Sequence, residues 1–268
     1  MEFIKRKTPY EKELEELKKK ERKFFSDRLE KKQGFIEKAL EDKVPPKLQE
    51  TLDAAFAKAF RLIFEKGNGI IEKTYQKEKA REKYLINEFI DDTARTRKSL
   101  KAFSKRAKGT GRKNIIISGV SGAGMGLAGL GLPDIPVFTA TIMKAIYEIA
   151  TSYGFTYESE EERIFILLLI KGALSYGDDI SETDALINQF IDSGEFPEGV
   201  SRQEQINAAA GELSKEILYV KFLQGIPLVG TVGGIYNAMY MKRITDYATL
   251  KYRRRFLLSK GQSSPKSI

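Results

Sequence analysis

Residues 162–177 read ERIFILLLIKGALSYG, and this stretch decides the fold class. Its run Ile164–Ile170 is apolar on every side, which is typical of a helix buried at the centre of a domain. Ser159 and Glu162 precede it at the spacing of a capping box, the signature of a helix start. Elsewhere only Ile115–Ile117 resembles a strand. We therefore predict an all-α protein, a multi-helix bundle with two glycine-rich apolar helices or hairpins.

The placement of charges and prolines predicts the domain organisation. Residues 1–43 form a charged N-terminal extension whose helix has few apolar side chains, so we expect it to be exposed or loosely docked. The break Val44-Pro45-Pro46 separates it from a helical domain over residues 44–257. Residues 258–268 are expected to be a disordered tail.

Serine and glycine positions predict further helix boundaries. Ser181…Asp184 and Ser201…Glu204 have capping-box spacing, which predicts two more helix starts. Gly177 and Gly194 are expected to end helices, because glycine tolerates the left-handed backbone of a helix end.

The composition excludes several classes of chemistry. The chain of 268 residues has neither cysteine nor histidine. This excludes disulfides, Ser-His-Asp and Cys-His catalysis, and histidine-bound zinc. We predict no catalytic residue, no metal site and no cofactor. The N-terminal sequence is too charged for a signal peptide, so we expect a cytoplasmic protein.

The net charge of +9 is unevenly distributed. Residues 95–113 have nine bases and no acid, residues 242–255 have six bases and one acid, and residues 158–216 have fourteen acids and four bases. Such a polarised chain orients in the field of an anionic surface. A solvated helix face and a nucleic-acid contact remain alternatives for residues 95–113. The candidate contacts with anionic lipid are Arg95, Arg97, Lys98, Lys101, Lys105, Arg106, Lys108, Arg112, Lys113, Arg253, Arg254 and Arg255.

A glycine-rich segment, SGVSGAGMGLAGLGLPDIP, covers residues 118–136. It contains a GxGxxG match, but the dinucleotide-binding motif requires a parallel sheet that the chain does not predict. Asp134 lies between two prolines and is typical of a helix cap, with a ligand pocket as the alternative. The candidate ligand or turn residues are Asp134, Gly122, Gly124, Gly126 and Gly129.

Two uncharged runs of twenty residues, 114–133 and 222–241, are each long enough to cross a bilayer core. Both contain glycines four residues apart, the spacing at which membrane helices pack closely. Three alternatives stay open: tight packing in a soluble core, shallow or peripheral membrane association, and two true spans with cytoplasmic termini.

Three segments carry a resemblance to the EcsC protein family. Residues 126–155, GLAGLGLPDIPVFTATIMKAIYEIATSYGF, resemble its central motif. Residues 225–257, GIPLVGTVGGIYNAMYMKRITDYATLKYRRRFL, resemble its C-terminal motif, and residues 44–67 its opening helix. The resemblance implies a bacterial protein without known catalytic residues. Because the family is named for a gene beside an ABC exporter, it also implies an ABC transporter as a partner, by genomic association alone.

Together these features predict a non-catalytic, membrane-associated protein at the cytoplasmic face of the plasma membrane. Its predicted partners are the anionic membrane surface and, from the resemblance, an ABC transporter linked to secretion. The alternative is a soluble helical ligand-binding protein or enzyme with a pocket near Asp134. RNA binding is a third hypothesis, and it requires the two basic stretches to form one continuous face.

Overall fold

The computed structural model describes residues 7–29, 44–67, 77–94, 96–109, 135–223 and 233–262. Within these ranges every regular element is helical, which confirms the predicted all-α class. None of the helices in the described part of the chain is long and apolar enough to cross a membrane. The helices are α1 (Pro9–Leu29), α2 (Pro46–Leu62, followed by a π-helical turn Ile63–Gly67), α3 (Lys77–Ala94), α4 (97–109), α5 (Ile135–Ser152), α6 (Glu160–Leu174), α7 (Gly177–Ser193), α8 (Arg202–Leu223) and α9 (Gly233–Gln262).

Helix α6 lies at the centre of the bundle, as its sequence predicts. Every residue from Ile164 to Ile170 is buried, and α7, α8 and α9 pack around the helix. The ring of Phe165 contacts the rings of Phe190 on α7 and Tyr252 on α9, with centroids 5.2 and 5.3 Å away. A helix that is apolar on every side thus has a packing partner on every side.

Two of the three predicted capping sites are confirmed. The Ser159 hydroxyl accepts the Glu162 N–H at 3.2 Å, and Ser201 and Glu204 bond reciprocally at 3.3 Å. The start predicted at Ser181 is wrong, and so is the end predicted at Gly177. Helix α7 begins at Gly177, because the two acids that follow it lie in the first turn, where the helix dipole favours negative charge.

Helix α1 packs against the bundle although its sequence predicts an exposed or loosely docked helix. Leu17 is fully buried in the main core, and the Phe24 ring stacks on Tyr247 of α9 with centroids 4.9 Å apart. The apolar stripe is narrow, but buried carboxylates on the same face find partners on neighbouring helices. The docking surface of α1 therefore combines apolar and aromatic side chains with buried charged ones.

Gly154, which follows the end of α5, has φ +83° and lies against Tyr84 of α3. A Cβ atom at this position would lie 2.3 Å from Cζ of Tyr84. We expect Gly154→Ala to lower the free energy of unfolding by more than about 1 kcal/mol, since it adds backbone strain and a clash. Urea denaturation measures this change.

Substitutions at two other glycines separate the backbone strain from the clash. Gly194 also has φ +83°, but a Cβ atom there would have no neighbouring atom within 4 Å, so Gly194→Ala adds strain without a clash. Gly211 lies inside α8 with open space around it, and Gly211→Ala is expected to stabilise the protein by up to about 1 kcal/mol. A loss at Gly154 no larger than at Gly194 would contradict the clash with Tyr84.

Candidate functional site

The basic stretch near the C-terminus is paired with acids inside the protein. Arg253 of α9 is buried, and its Nη2 donates to Oε2 of Glu13 on α1. Lys251 is also buried, with its Nζ 2.6 Å from Oδ1 of Asp184 and 3.2 Å from Oε1 of Glu21. These ion pairs tie α9 to α1 and α7.

Arg254 and Arg255 also have acidic partners, an exposed one for Arg254 and a buried one for Arg255. Arg254 Nη2 lies 3.6 Å from Oδ1 of Asp192. Arg255 Nη1 donates to Glu162 at 2.6 Å, and the Tyr252 hydroxyl donates to the other oxygen of that carboxylate, also at 2.6 Å. Burial raises the pKa of Glu162, while Arg255 opposes the shift. Contact of Arg253, Arg254 and Arg255 with lipid stays a prediction. A lipid phosphate would have to compete with these carboxylates for the arginines.

The bases of α4 divide into two groups. Arg97 donates to Glu13 and, at 2.6 Å, to Glu16, and Lys101 lies 3.5 Å from Glu16, so both face α1. Lys98 and Lys105 are exposed and have no carboxylate within ion-pair distance among the described residues. Lys108 is exposed too, although partial burial lowers its pKa. Arg106 is half-buried, and desolvation lowers its pKa while the charge of Glu148 opposes this shift.

The outer face of α3 is apolar. Its inner face holds Tyr84, whose ring contacts Phe103 of α4 at 5.5 Å, and Asp91, which accepts a hydrogen bond from Ser99 of α4 at 2.5 Å. These two contacts define an antiparallel α3–α4 hairpin. On the opposite side lie four large apolar residues with high exposed fractions: Leu85 (53%), Ile86 (58%), Phe89 (74%) and Ile90 (47%).

Sequence reasoning missed this apolar face. The sequence does indicate an apolar helix face, because large apolar residues recur at helical spacing at positions 85, 86, 89 and 90. However, that spacing is also the pattern of a core-facing stripe, so it shows that α3 is amphipathic without showing which face is buried.

A basic cleft of about 340 Å³ lies between the C-terminal end of α1, the α6–α7 connection and α9. Sequence reasoning did not identify it, because its residues come from three distant segments. The cleft is lined by Phe24, Arg28, Tyr176, Met239, Lys242, Arg243 and Asp246.

Several predicted site residues lie outside the described residues: Asp134, Gly122, Gly124, Gly126, Gly129, Arg95, Arg112 and Lys113. A pocket near Asp134 therefore stays a prediction. Across the described ranges no group of three or more acidic side chains is arranged to hold a metal ion.

The chain belongs to the EcsC protein family, which it matches over residues 10–257. This confirms the resemblance and extends it to α1. Protein EcsC of Bacillus subtilis (strain 168) is 27% identical over 144 residues, which are 53% of this chain and 58% of that relative. Uncharacterized protein YdbA of the same strain is 24% identical over 193 residues, 70% of each chain. No solved structure matches the chain.

Proposed function

We propose that this protein binds the anionic surface of the plasma membrane at its cytoplasmic face, without catalysing a reaction. The contact surface is the outer side of the α3–α4 hairpin. The observations that carry the proposal are the exposed apolar side chains of α3 and the exposed Lys98 and Lys105 of α4, the next helix along the chain. From the family resemblance, we also infer an ABC transporter linked to secretion as a protein partner at this membrane.

The hairpin combines the two interactions that peripheral membrane proteins use. Leu85 and Ile86 supply apolar surface that can enter the boundary between headgroups and acyl chains. Lys98 and Lys105 are seven residues apart on the side of α4 away from the buried Phe103, so they project outward together. Each lysine close to an anionic bilayer contributes about 1 kcal/mol to binding.

Sedimentation with phosphatidylglycerol and phosphatidylcholine vesicles tests the proposal. The wild type is expected to sediment with the anionic vesicles and much less with the neutral ones. The double variant Lys98→Glu/Lys105→Glu is expected to bind anionic vesicles at least about 30-fold more weakly, because two attractive charges become repulsive. The double variant Leu85→Ser/Ile86→Ser is expected to lose the part of the binding that survives a high-salt wash.

Leu62→Ser is the matched control, because Leu62 is 46% exposed but belongs to α2. It is expected to leave vesicle binding unchanged. The proposal fails if the wild type ignores anionic vesicles at moderate salt, or if the hairpin variants bind as well as Leu62→Ser.

A further inference from the structure

We propose that the basic cleft between α1, the α6–α7 connection and α9 binds a phosphoryl group, with Arg28 and Arg243 as its principal contacts. The ligand class is inorganic phosphate or a phosphate monoester or diester. This inference is independent of the membrane contact proposed for the α3–α4 hairpin, since the two surfaces share no residue.

Arg28 is a buried cation with no carboxylate partner among the described residues. Only 7% of the residue is exposed, and its Nη1 donates to the carbonyl oxygen of Ala173 at the end of α6. Its guanidinium lies over the Phe24 ring, 4.3 Å from the centroid, and 5.7 Å from that of Tyr176. The buried Lys251 and Arg253, by contrast, are paired with acids. A buried charge without a counter-ion is strongly unfavourable, and no carboxylate of the described residues lies within ion-pair distance of Arg28, so an anion in the cleft would stabilise it.

Arg243 presents a second guanidinium to the same cleft. Its Nη1 donates to the Tyr176 hydroxyl at 2.8 Å and to Glu216 at 3.0 Å. Among the described residues its Nη2 finds one hydrogen-bond acceptor, the Met239 sulfur at 3.9 Å, which is a weak one. Burial lowers the pKa of Arg28, and the nearby charge of Arg243 lowers it further. An anion between the two guanidinium groups would relieve this repulsion and accept hydrogen bonds from both.

The remaining lining favours a small oxyanion. Lys242 lies at the exposed rim, paired with Asp246 one helical turn away. Counting Glu216 behind Arg243, three cations face two carboxylates, so the cleft keeps an excess of positive charge. Guanidinium groups match the oxygens of a phosphate with paired hydrogen bonds. The volume of about 340 Å³ is at the lower end of the range of small-ligand pockets, enough for a phosphate and a short organic substituent.

Isothermal titration calorimetry of the full chain with inorganic phosphate and with glycerol 3-phosphate tests the proposal. The wild type is expected to bind at least one of them, and Arg28→Met is expected to weaken that binding by about tenfold or more, because hydrogen bonds to a charged group are lost. Lys242→Glu provides a second variant. The residue is exposed, so the change leaves the fold intact and is expected to weaken binding by reversing a charge at the rim.

Arg202→Gln is the matched control. Arg202 is a partly exposed arginine paired with Glu160 at the other end of α6, and its loss is expected to leave the affinity unchanged. The proposal is overturned if neither probe binds the wild type, or if Arg28→Met and Lys242→Glu both bind as tightly as Arg202→Gln.

Vesicle binding by Arg28→Met shows whether the phosphoryl group belongs to a lipid or to a soluble ligand. If the ligand is a lipid headgroup, Arg28→Met also weakens binding to phosphatidylglycerol vesicles while the hairpin lysines are intact. If the ligand is a soluble phosphate ester, Arg28→Met keeps wild-type vesicle binding and loses only the binding of the soluble probe. Failure of the hairpin variants to affect vesicle binding would overturn the membrane proposal without touching this one.

Discussion

Replacing Glu13 with glutamine is expected to lower the free energy of unfolding by about 3–5 kcal/mol, the loss typical of breaking a buried ion pair. The Glu13 side chain is 1% exposed and accepts hydrogen bonds from Arg97 and Arg253, one at each carboxylate oxygen. A neutral amide cannot balance these charges. Arg253, itself buried, would keep its charge without a counter-ion.

Glu15→Gln is the control, measured by the same urea denaturation. Glu15 lies on the same helix, but its side chain is 49% exposed and pairs with the exposed Lys7, so we expect a much smaller loss than at Glu13. The double variant Glu13→Gln/Arg253→Met removes both charges together and is expected to recover part of the loss. Equal losses at Glu13 and Glu15 would show that the buried pair does not hold α1 in place.

Replacing Phe165 with alanine is expected to lower the free energy of unfolding by about 3–5 kcal/mol. The side chain is fully buried at the centre of the bundle, between the rings of Phe190 and Tyr252. The guanidinium of Arg255 lies 5.5 Å from its ring centroid. The substitution therefore leaves a cavity where α6, α7 and α9 meet, and the packed neighbours can fill it only in part.

Ile86→Ala is the control for this second measurement. Ile86 is 58% exposed on the outer face of α3, so truncation is expected to change the free energy of unfolding by no more than about 0.5 kcal/mol. A large loss at Ile86 would mean that the outer face of α3 is covered in solution. That result would also count against its use as a membrane contact.

Features that depend on local interactions were predictable. The capping serines at 159 and 201 each bond to a backbone group three residues away, so their effect is visible in the sequence. Helix α6 was equally clear, because a helix without a polar face has to be surrounded. The role of Gly177 was not predictable in the same way, because glycine is compatible with either end of a helix. Here the two acids that follow it favour a helix start.

The candidate surfaces required the tertiary structure. The bases at 253–255 have the same composition as an anionic-lipid contact, yet the buried Glu13 and Glu162 and the exposed Asp192 reach them from positions at least fifty residues away in the sequence. The basic cleft depends in the same way on Arg28, Tyr176 and Arg243, which no spacing rule connects.

The sequence by itself determined the all-α class, the central position of α6 and membership of the EcsC family, because apolar periodicity, helix caps and family motifs are local properties of the chain. Only the tertiary structure decided the direction of each amphipathic face and the partner of each charge. It turned the apolar side of α3 outward, docked α1 through Glu13, and left Arg28 buried with no described carboxylate within ion-pair distance. The physical reason is that burial and electrostatic energy depend on distances between helices, which helical spacing within one segment does not encode.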